Sequence, residues 1–437
     1  MTFDRVIPEL LRICETHPLR ASLTKLCLVR DVRGRVRLVV SPGETRPPLT
    51  ELQQALETAL GAYFIGPILS TEARDDGTRR LARALLERAN GGWPSTWPSE
   101  FTNLLNVATP LSADWLGIER TIAKEAWLER SPSLPWKLRG GAPPIVTFHS
   151  FKGGVGRTTM VAAHAVRLAH EGKRVALVDL DLEAPGLASL FGVATSRGVL
   201  DVLVDHGVTG SIDLSNTSAS PALGQGIGDL LTVFPAGAFD GRYVSKLARL
   251  DYSSAEPGET NPVEEALRAL LKSLKALRPA FDVILLDSRA GLHDLAGLSL
   301  HGLAHVDVLV FRGTEQNFEG LTQTVRTLRR QEPELVLVET MLPPAREEFD
   351  ARRARTRQRV YTIMLEHFYP EADPPQAGDV GVAHDVEHVA RKEWLDQIDR
   401  IEGHAEEMLN DPHLRAVSQR IDEACILAVD EQEEREA

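Results

Sequence analysis

The chain has 437 residues, 43% of them hydrophobic and 25% charged, and carries a net charge of −13. That length predicts two or three domains at roughly 150 residues each, and the composition excludes wholesale disorder. An acidic bulk also disfavours general nucleic-acid binding, although a local basic face survives such a balance.

No apolar run approaches the ~20 residues needed to span a bilayer. The N-terminus, MTFDRVIPELLRI, lacks a basic segment followed by an apolar one, so no secretory signal is read there. The three cysteines, Cys14, Cys27 and Cys425, are scattered and odd in number. They predict reduced thiols in a cytoplasmic protein. Charge is uneven: residues 1–140 hold 19 basic and 16 acidic side chains, a net of +3, leaving −16 for the remainder.

Residues 1–90 read as a small α+β domain. Apolar spacing predicts a helix over Phe3–Glu15. Two β-rich runs between Leu23 and Pro42 flank Asp31-Val-Arg-Gly34, a hairpin signal in which Gly34 takes a positive φ. Helical spacing returns over Leu49–Tyr63 and Thr78–Ala89.

Residues 91–142 differ. Five of the six tryptophans, Trp93, Trp97, Trp115, Trp127 and Trp136, fall here among prolines. They read either as anchors of a linker packed against its neighbours or as an exposed recognition surface. Gly140-Gly141-Ala-Pro-Pro144 marks a boundary.

From Ile145 onward strands alternate with helices. Strands are expected at Ile145–Ser150, Arg174–Asp179, Leu231–Pro235, Val283–Asp287, Val306–Phe311 and Leu335–Val338. Helices are expected at Thr158–Glu171, Pro262–Leu277, Glu319–Gln331 and Arg346–Phe368. Fully apolar strands in this rhythm predict an α/β domain with a doubly wound, mostly parallel sheet, covered on both faces. It is assigned residues 143–345. Residues 346–437 read as a helical extension ending in an acidic, frayed tail.

The strand at Ile145 runs into Phe151-Lys-Gly-Gly-Val-Gly-Arg-Thr-Thr159 and then a helix, the context of a phosphate-binding loop. Gly153, Gly154 and Gly156 let backbone N–H groups turn toward phosphate, and the helix N-terminus adds its positive dipole end. Thr158 sits where a hydroxyl reaches Mg²⁺. Against G-x-x-x-x-G-K-[ST], Phe151 replaces the first glycine and Arg157 the lysine.

Taken with Lys152, KGGVGRTT resembles the deviant Walker A motif, KGGxGK[ST], of the ParA/MinD-type P-loop ATPases. Its KGGVGR variant group occurs in bacterial signalling and conflict-type gene neighbourhoods more than in plasmid partition. The resemblance covers roughly residues 143–345. It implies that Lys152, Gly153, Gly154, Val155, Gly156, Arg157, Thr158 and Thr159 bind ATP, with Lys152 reaching a partner's nucleotide across a homodimer. Arg157 keeps the positive charge and forks onto phosphate, but is longer and planar, so hydrolysis is expected to be slow.

Two strand ends carry carboxylates. VALVDLDLEAPGL places Asp179 and Asp181 where ligands of doubly wound sheets bind. The family's D-x-D at this place implies that Asp179 supports Mg²⁺ through water and Asp181 orients the attacking water. Without the resemblance, the pair reads as a helix cap or turn. VILLDSRAG has the Walker B layout, with Asp287 in the Mg²⁺ shell. Arg289 departs from the family's D-x-P-x-G. It reads either as a γ-phosphate sensor or arginine finger with a catalytic role, or as a structural salt bridge. The segment Glu339–Pro344 is assigned to the adenine, with Pro343 named. No N/T-K-x-D guanine-reading tetrapeptide follows the corresponding strand.

Two further signals carry less. His384-Asp-Val-Glu-His388 matches H-x-x-E-H, the pattern of inverted zinc peptidases, but reads better as a polar surface turn in a helical tail. Arg352, Arg353, Arg355, Arg357 and Arg359, extended by Arg326, Arg329 and Arg330, form either a solvated helix face paired with acids or a DNA-binding patch. The acidic tail argues against a membrane helix.

The leading expectation is a cytoplasmic, Mg²⁺-ATP-dependent dimeric switch ATPase that couples nucleotide state to an unidentified protein through its N-terminal domain. Two alternatives stand beside it: a nucleotide-binding scaffold with negligible turnover, and a ParA-like DNA-associated positioning ATPase.

Overall fold

The computed structural model describes residues 1–45, 47–89, 97, 115–120, 124, 127, 134–224, 226–253, 261–328, 334–369, 374–396 and 398–434. The chain divides into two compact units, one built on Met1–Glu129 and the other on Arg130–Ser254 and Thr260–Ala437.

The first unit is a four-stranded sheet in the order β3-β2-β1-β4. Strands β1 (Leu23–Arg30) and β2 (Val36–Pro42) form the expected antiparallel pair, and Gly34 has φ +79°. Period-two alternation sends Leu26, Leu28, Leu38 and Val40 into one cluster with the helices Phe3–Thr16 (α1) and Thr50–Leu60 (α2). Cys27 and Val39 point to the other face, where Asp76–Arg88 (α3) contributes Ala82 and Leu86. Strand β3 is Leu69–Ser70.

The tryptophan-rich stretch is more than a connector. Trp115–Glu119 is a strand, β4, running parallel to β1. Trp97 and Trp115 lie in the core of this unit. Trp127 is buried too, and Trp136, in the second unit, donates its indole N–H to the Pro143 carbonyl. Packing is therefore the role of these four; Trp93 lies outside the described residues.

The second unit is a seven-stranded sheet in the order β11-β10-β9-β5-β8-β6-β7, parallel at every pairing. Its strands are β5 (Ile145–His149), β6 (Val175–Asp179), β7 (Leu231–Phe234), β8 (Val283–Asp287), β9 (Val306–Phe311), β10 (Glu334–Leu342) and β11 (Val386–Ala390). Val146, Phe148, Leu177, Leu285, Val308 and Val338 share one core with the helices Arg157–His170 (α4) and Pro412–Glu434 (α8). The alternate residues Ile145, Ile284, Leu286 and Leu309 are buried as well. Both faces are covered, which is why these strands read as continuous apolar runs. Helices Pro262–Ala276 (α5), Glu315–Leu328 (α6) and Arg346–His367 (α7) stand between the later strands.

One strand interrupts the largely helical extension of residues 346–437. His384–His388 is neither a helical face nor a surface turn: Val386–Ala390 forms the parallel edge strand β11 beside β10, and both histidines are buried. His384 shares a 2.7 Å hydrogen bond with the Tyr369 hydroxyl. His388 meets Glu339, which Arg352 also holds at 3.2 Å. The final helix continues through Glu434.

Candidate functional site

The chain folds away from β5 to one side through β6, β7 and β8, and to the other through β9, β10 and β11. The C-terminal end of β5 therefore opens onto the crevice where doubly wound sheets take their ligands. The loop after β5 is KGGVGR, and α4 starts at Arg157. Gly154 and Gly156 have φ of +71° and +85°, where a side chain is strained. Gly153 has an ordinary φ, and a Cβ there would meet nothing of this chain. The chain's own packing does not demand glycine at 153; open space lies over the loop, the room a phosphate needs.

Phe151, the departure at the first glycine position, packs on α6. A methyl group at Gly320 would overlap its ring. Lys152 is half-buried, with Nζ 6.0 Å from the Phe151 ring centroid. It forms no ion pair among the described residues.

Asp179 and Asp287 end the neighbouring strands β6 and β8 and are register partners. Asp179 is fully buried and accepts the backbone N–H groups of Asp181, Gly186 and Leu187 at 3.1–3.2 Å. It thereby organises the 181–187 loop. Burial, reinforced by the Asp287 charge, pushes its carboxyl up to about 8.

Arg157 was expected on phosphate, but it faces carboxylates. Its Nε donates to Asp287 Oδ1 at 2.6 Å, and Nη2 to Asp181 Oδ2 at 2.9 Å. Thr158 Oγ1 donates to the other Asp287 oxygen at 2.8 Å. Arg289 continues the alternation of charge, spanning Asp181 at 3.2 Å and Glu183 at 2.7 Å. Its carbonyl accepts from His149 Nδ1 at 3.1 Å. Burial, with the Arg157 charge adding, lowers His149 to about 3, so its ring is neutral.

This donor set fits a cation. Two carboxylates and a hydroxyl converge on one positive group, the guanidinium of Arg157, lodged among them as a stand-in. The residues that suit Mg²⁺ are Thr158 and Asp287, with Asp181 adjacent; Asp179, also expected to support the metal through water, has both oxygens engaged by backbone N–H groups.

A cleft beside the loop is lined by Gly156, Thr159, Thr340, Met341, Val389 and Arg391. Pro343 is not among its lining residues. The register slips between Glu339 and Leu342, and Met341 takes φ +58°. Thr340, at this irregularity, donates its hydroxyl to the Val155 carbonyl inside the glycine loop at 2.6 Å. Thr340 lies within the segment Glu339–Pro344 that the sequence singled out; the 389–396 wall was not read from the sequence.

The basic helix α7 is largely paired: Arg352 with Glu339, Arg357 with Asp385 at 2.7 Å, and Arg359 with Glu315 at 3.6 Å. Arg353 and Arg355 are exposed. Arg329 and Arg330 lie outside the described residues.

Residues 146–414 match the CobQ/CobB/MinD/ParA nucleotide binding domain. The chain belongs to this family. Over 164 residues it is 32% identical to the septum site-determining protein MinD of Helicobacter pylori, covering 38% of this chain and 50% of that protein. A 50-residue stretch, 11% of this chain and 17% of the relative, is 46% identical to an iron-sulfur cluster carrier protein of Pseudomonas fragi. The chain thus spans at most half the length of the curated relatives it matches. Among solved structures, MinD from Pyrococcus horikoshii complexed with Mg-ADP is 23% identical with a TM-score of 0.43, covering 65% of this chain and 97% of its own, and MinD from Pyrococcus furiosus is 21% identical with a TM-score of 0.42, covering 65% and 99%. Among the described residues, no helix is long and apolar enough to cross a membrane.

Proposed function

We propose that this family member is a Mg²⁺-ATP-dependent switch ATPase that dimerises on binding ATP. The observation that carries the reading is the Thr158–Asp287 hydrogen bond of 2.8 Å at the foot of a glycine loop that opens a 14-residue helix. A hydroxyl and a strand-end carboxylate held together beneath loop amides are the parts that grip nucleotide and metal. The amides of residues 153–158 bind phosphate oxygens. Thr158 and Asp287 hold Mg²⁺, which when bound supplies charge neutralisation for the phosphates. Asp179 keeps the 181–187 loop in place, and Asp181 orients the attacking water. Lys152 serves the nucleotide of a second copy, and the unit at residues 1–129 takes up the partner protein.

A second reading, a nucleotide-binding scaffold with negligible turnover, draws on a specific contact. Arg157 and Arg289 both engage Asp181, leaving it less available to water. Equilibrium ATP binding measured beside single-turnover hydrolysis separates the two. In the ATPase reading, Asp181→Ala keeps ATP affinity and slows hydrolysis by about 10²-fold, the scale of a lost positioning or base group. Wild-type turnover in that variant overturns the role of Asp181, and binding without any hydrolysis in the wild-type chain selects the scaffold.

A further inference from the structure

Arg157 is 7% exposed, and none of its described contacts is to a solvent-facing anion. Its Nε takes Asp287 Oδ1, and its Nη2 takes Asp181 Oδ2 and, at 3.3 Å, Thr158 Oγ1. With the Thr158 hydroxyl on Asp287 Oδ2, both oxygens of that carboxylate are engaged. We propose that Arg157 is a resident cation that keeps divalent metal off Asp181 and Asp287 in the nucleotide-free protein.

Three physical points carry this. Buried carboxylates need a counter-charge, because an unpaired one is costly in a low-dielectric interior. Arg157 supplies that charge from within the chain, so the cluster is satisfied without metal. The oxygens it covers are also the ones a divalent ion needs, and a guanidinium and a metal cannot share them: they compete for the same lone pairs and repel each other. Finally, the arginine side chain is long, and its fork suits phosphate as well as carboxylate. Phosphate arriving over the loop offers Arg157 a second anionic partner, and its departure frees Asp287 Oδ1 and Asp181 Oδ2. Metal entry is then conditional on nucleotide, with charge balanced in both states. That last step rests on the proposed ATP binding; the exclusion of metal does not.

The test titrates manganous ion into the full chain without nucleotide, following free ion by electron paramagnetic resonance and the protein by thermal unfolding. The wild-type chain is expected to show no tight site and no thermal stabilisation. Arg157→Ala is expected to gain one site, tighter by about tenfold or more, the scale of a charge-assisted contact, and to be thermally stabilised by the ion. Arg157→Gln, which keeps much of the side-chain length without its charge, should behave alike and covers the case in which the alanine variant fails to fold. Adding Asp287→Asn should abolish the gained site. The proposal is overturned if the wild-type chain binds manganous ion as tightly as the variants, if neither variant gains a site, or if the site survives Asp287→Asn. A parallel wild-type titration with ATP tests the proposed function separately: absence of nucleotide binding there refutes that reading while the nucleotide-free comparison still decides the role of Arg157.

Discussion

Thr340→Val removes one hydroxyl and little volume. Thr340 is 5% exposed, and its Oγ1 lies 2.6 Å from the carbonyl oxygen of Val155. The substitution leaves that carbonyl without this donor in a buried setting, a loss of about 1–3 kcal/mol. The carbonyl belongs to the peptide joining Val155 to Gly156, whose N–H is among the loop amides, and the flanking Gly154 and Gly156 both sit in left-handed backbone. A loop of glycines holds its shape through such external ties, since glycine itself restrains little. The cost is therefore expected in ligand affinity: about tenfold weaker ATP binding, equivalent to roughly 1.4 kcal/mol. Thr340→Ser restores the hydroxyl and should stay within about threefold of wild type. Isothermal titration calorimetry on the three proteins decides it. Equal affinity in the valine variant, or an equal loss in the serine variant, refutes the idea that this hydroxyl shapes the loop.

Gly320→Ala places a methyl group inside the Phe151 ring; a loss of about 1–3 kcal/mol is expected, read by denaturant unfolding and relieved by Phe151→Ala. His305 is 4% exposed, accepts the Ile145 N–H on Nδ1 and meets the Trp136 carbonyl through Nε2, both at 3.0 Å. Burial lowers it from 6.5 to about 4. A lowered pKa means the unfolded chain binds the proton first, so this contribution is complete above pH 6.5 and is lost as the pH falls toward 4, by about 3 kcal/mol. His305→Gln should flatten the stability profile in that window, and an unchanged slope would count against it. The Asp181→Ala protein should dimerise with ATP and not with ADP, and adding Lys152→Ala should abolish that dimer; light scattering after size exclusion would show a nucleotide-independent mass if the sandwich is wrong.

The strands were legible where burial on both faces forces an unbroken apolar run, as in Val175–Asp179 and Val283–Asp287. Their terminal aspartates stood out because a carboxylate closing such a run has no packing reason to be there. The edge strand Val386–Ala390 was hidden because His388 within it and His384 just before it look like surface residues. Their partners, Tyr369 and Glu339, are 15 and 49 residues away in sequence, beyond any local pattern. Strand Trp115–Glu119 was hidden by the tryptophans and prolines around it. At the site, residue identity pointed to the loop, but the direction of Arg157 depends on Asp181 and Asp287, which only the fold brings to it. Phe151 was a departure from the motif until Gly320 supplied the space it fills.

Two cations in one loop divide naturally by what surrounds each. Arg157 is buried and has three acceptors within its own chain, so its charge is spent locally until another anion competes for it. Lys152 has no carboxylate partner among the described residues and sits beside the open space over Gly153. A lysine so placed keeps its full attraction for an incoming anion. Because differential affinity alone shifts an equilibrium, nucleotide favours whichever arrangement lets both cations reach phosphate. In the function proposed above, Arg157 then leaves the carboxylates and Lys152 meets a second copy. The two movements draw on the same ligand, so a chain that lacks the first should show a weaker dependence of the second on divalent metal.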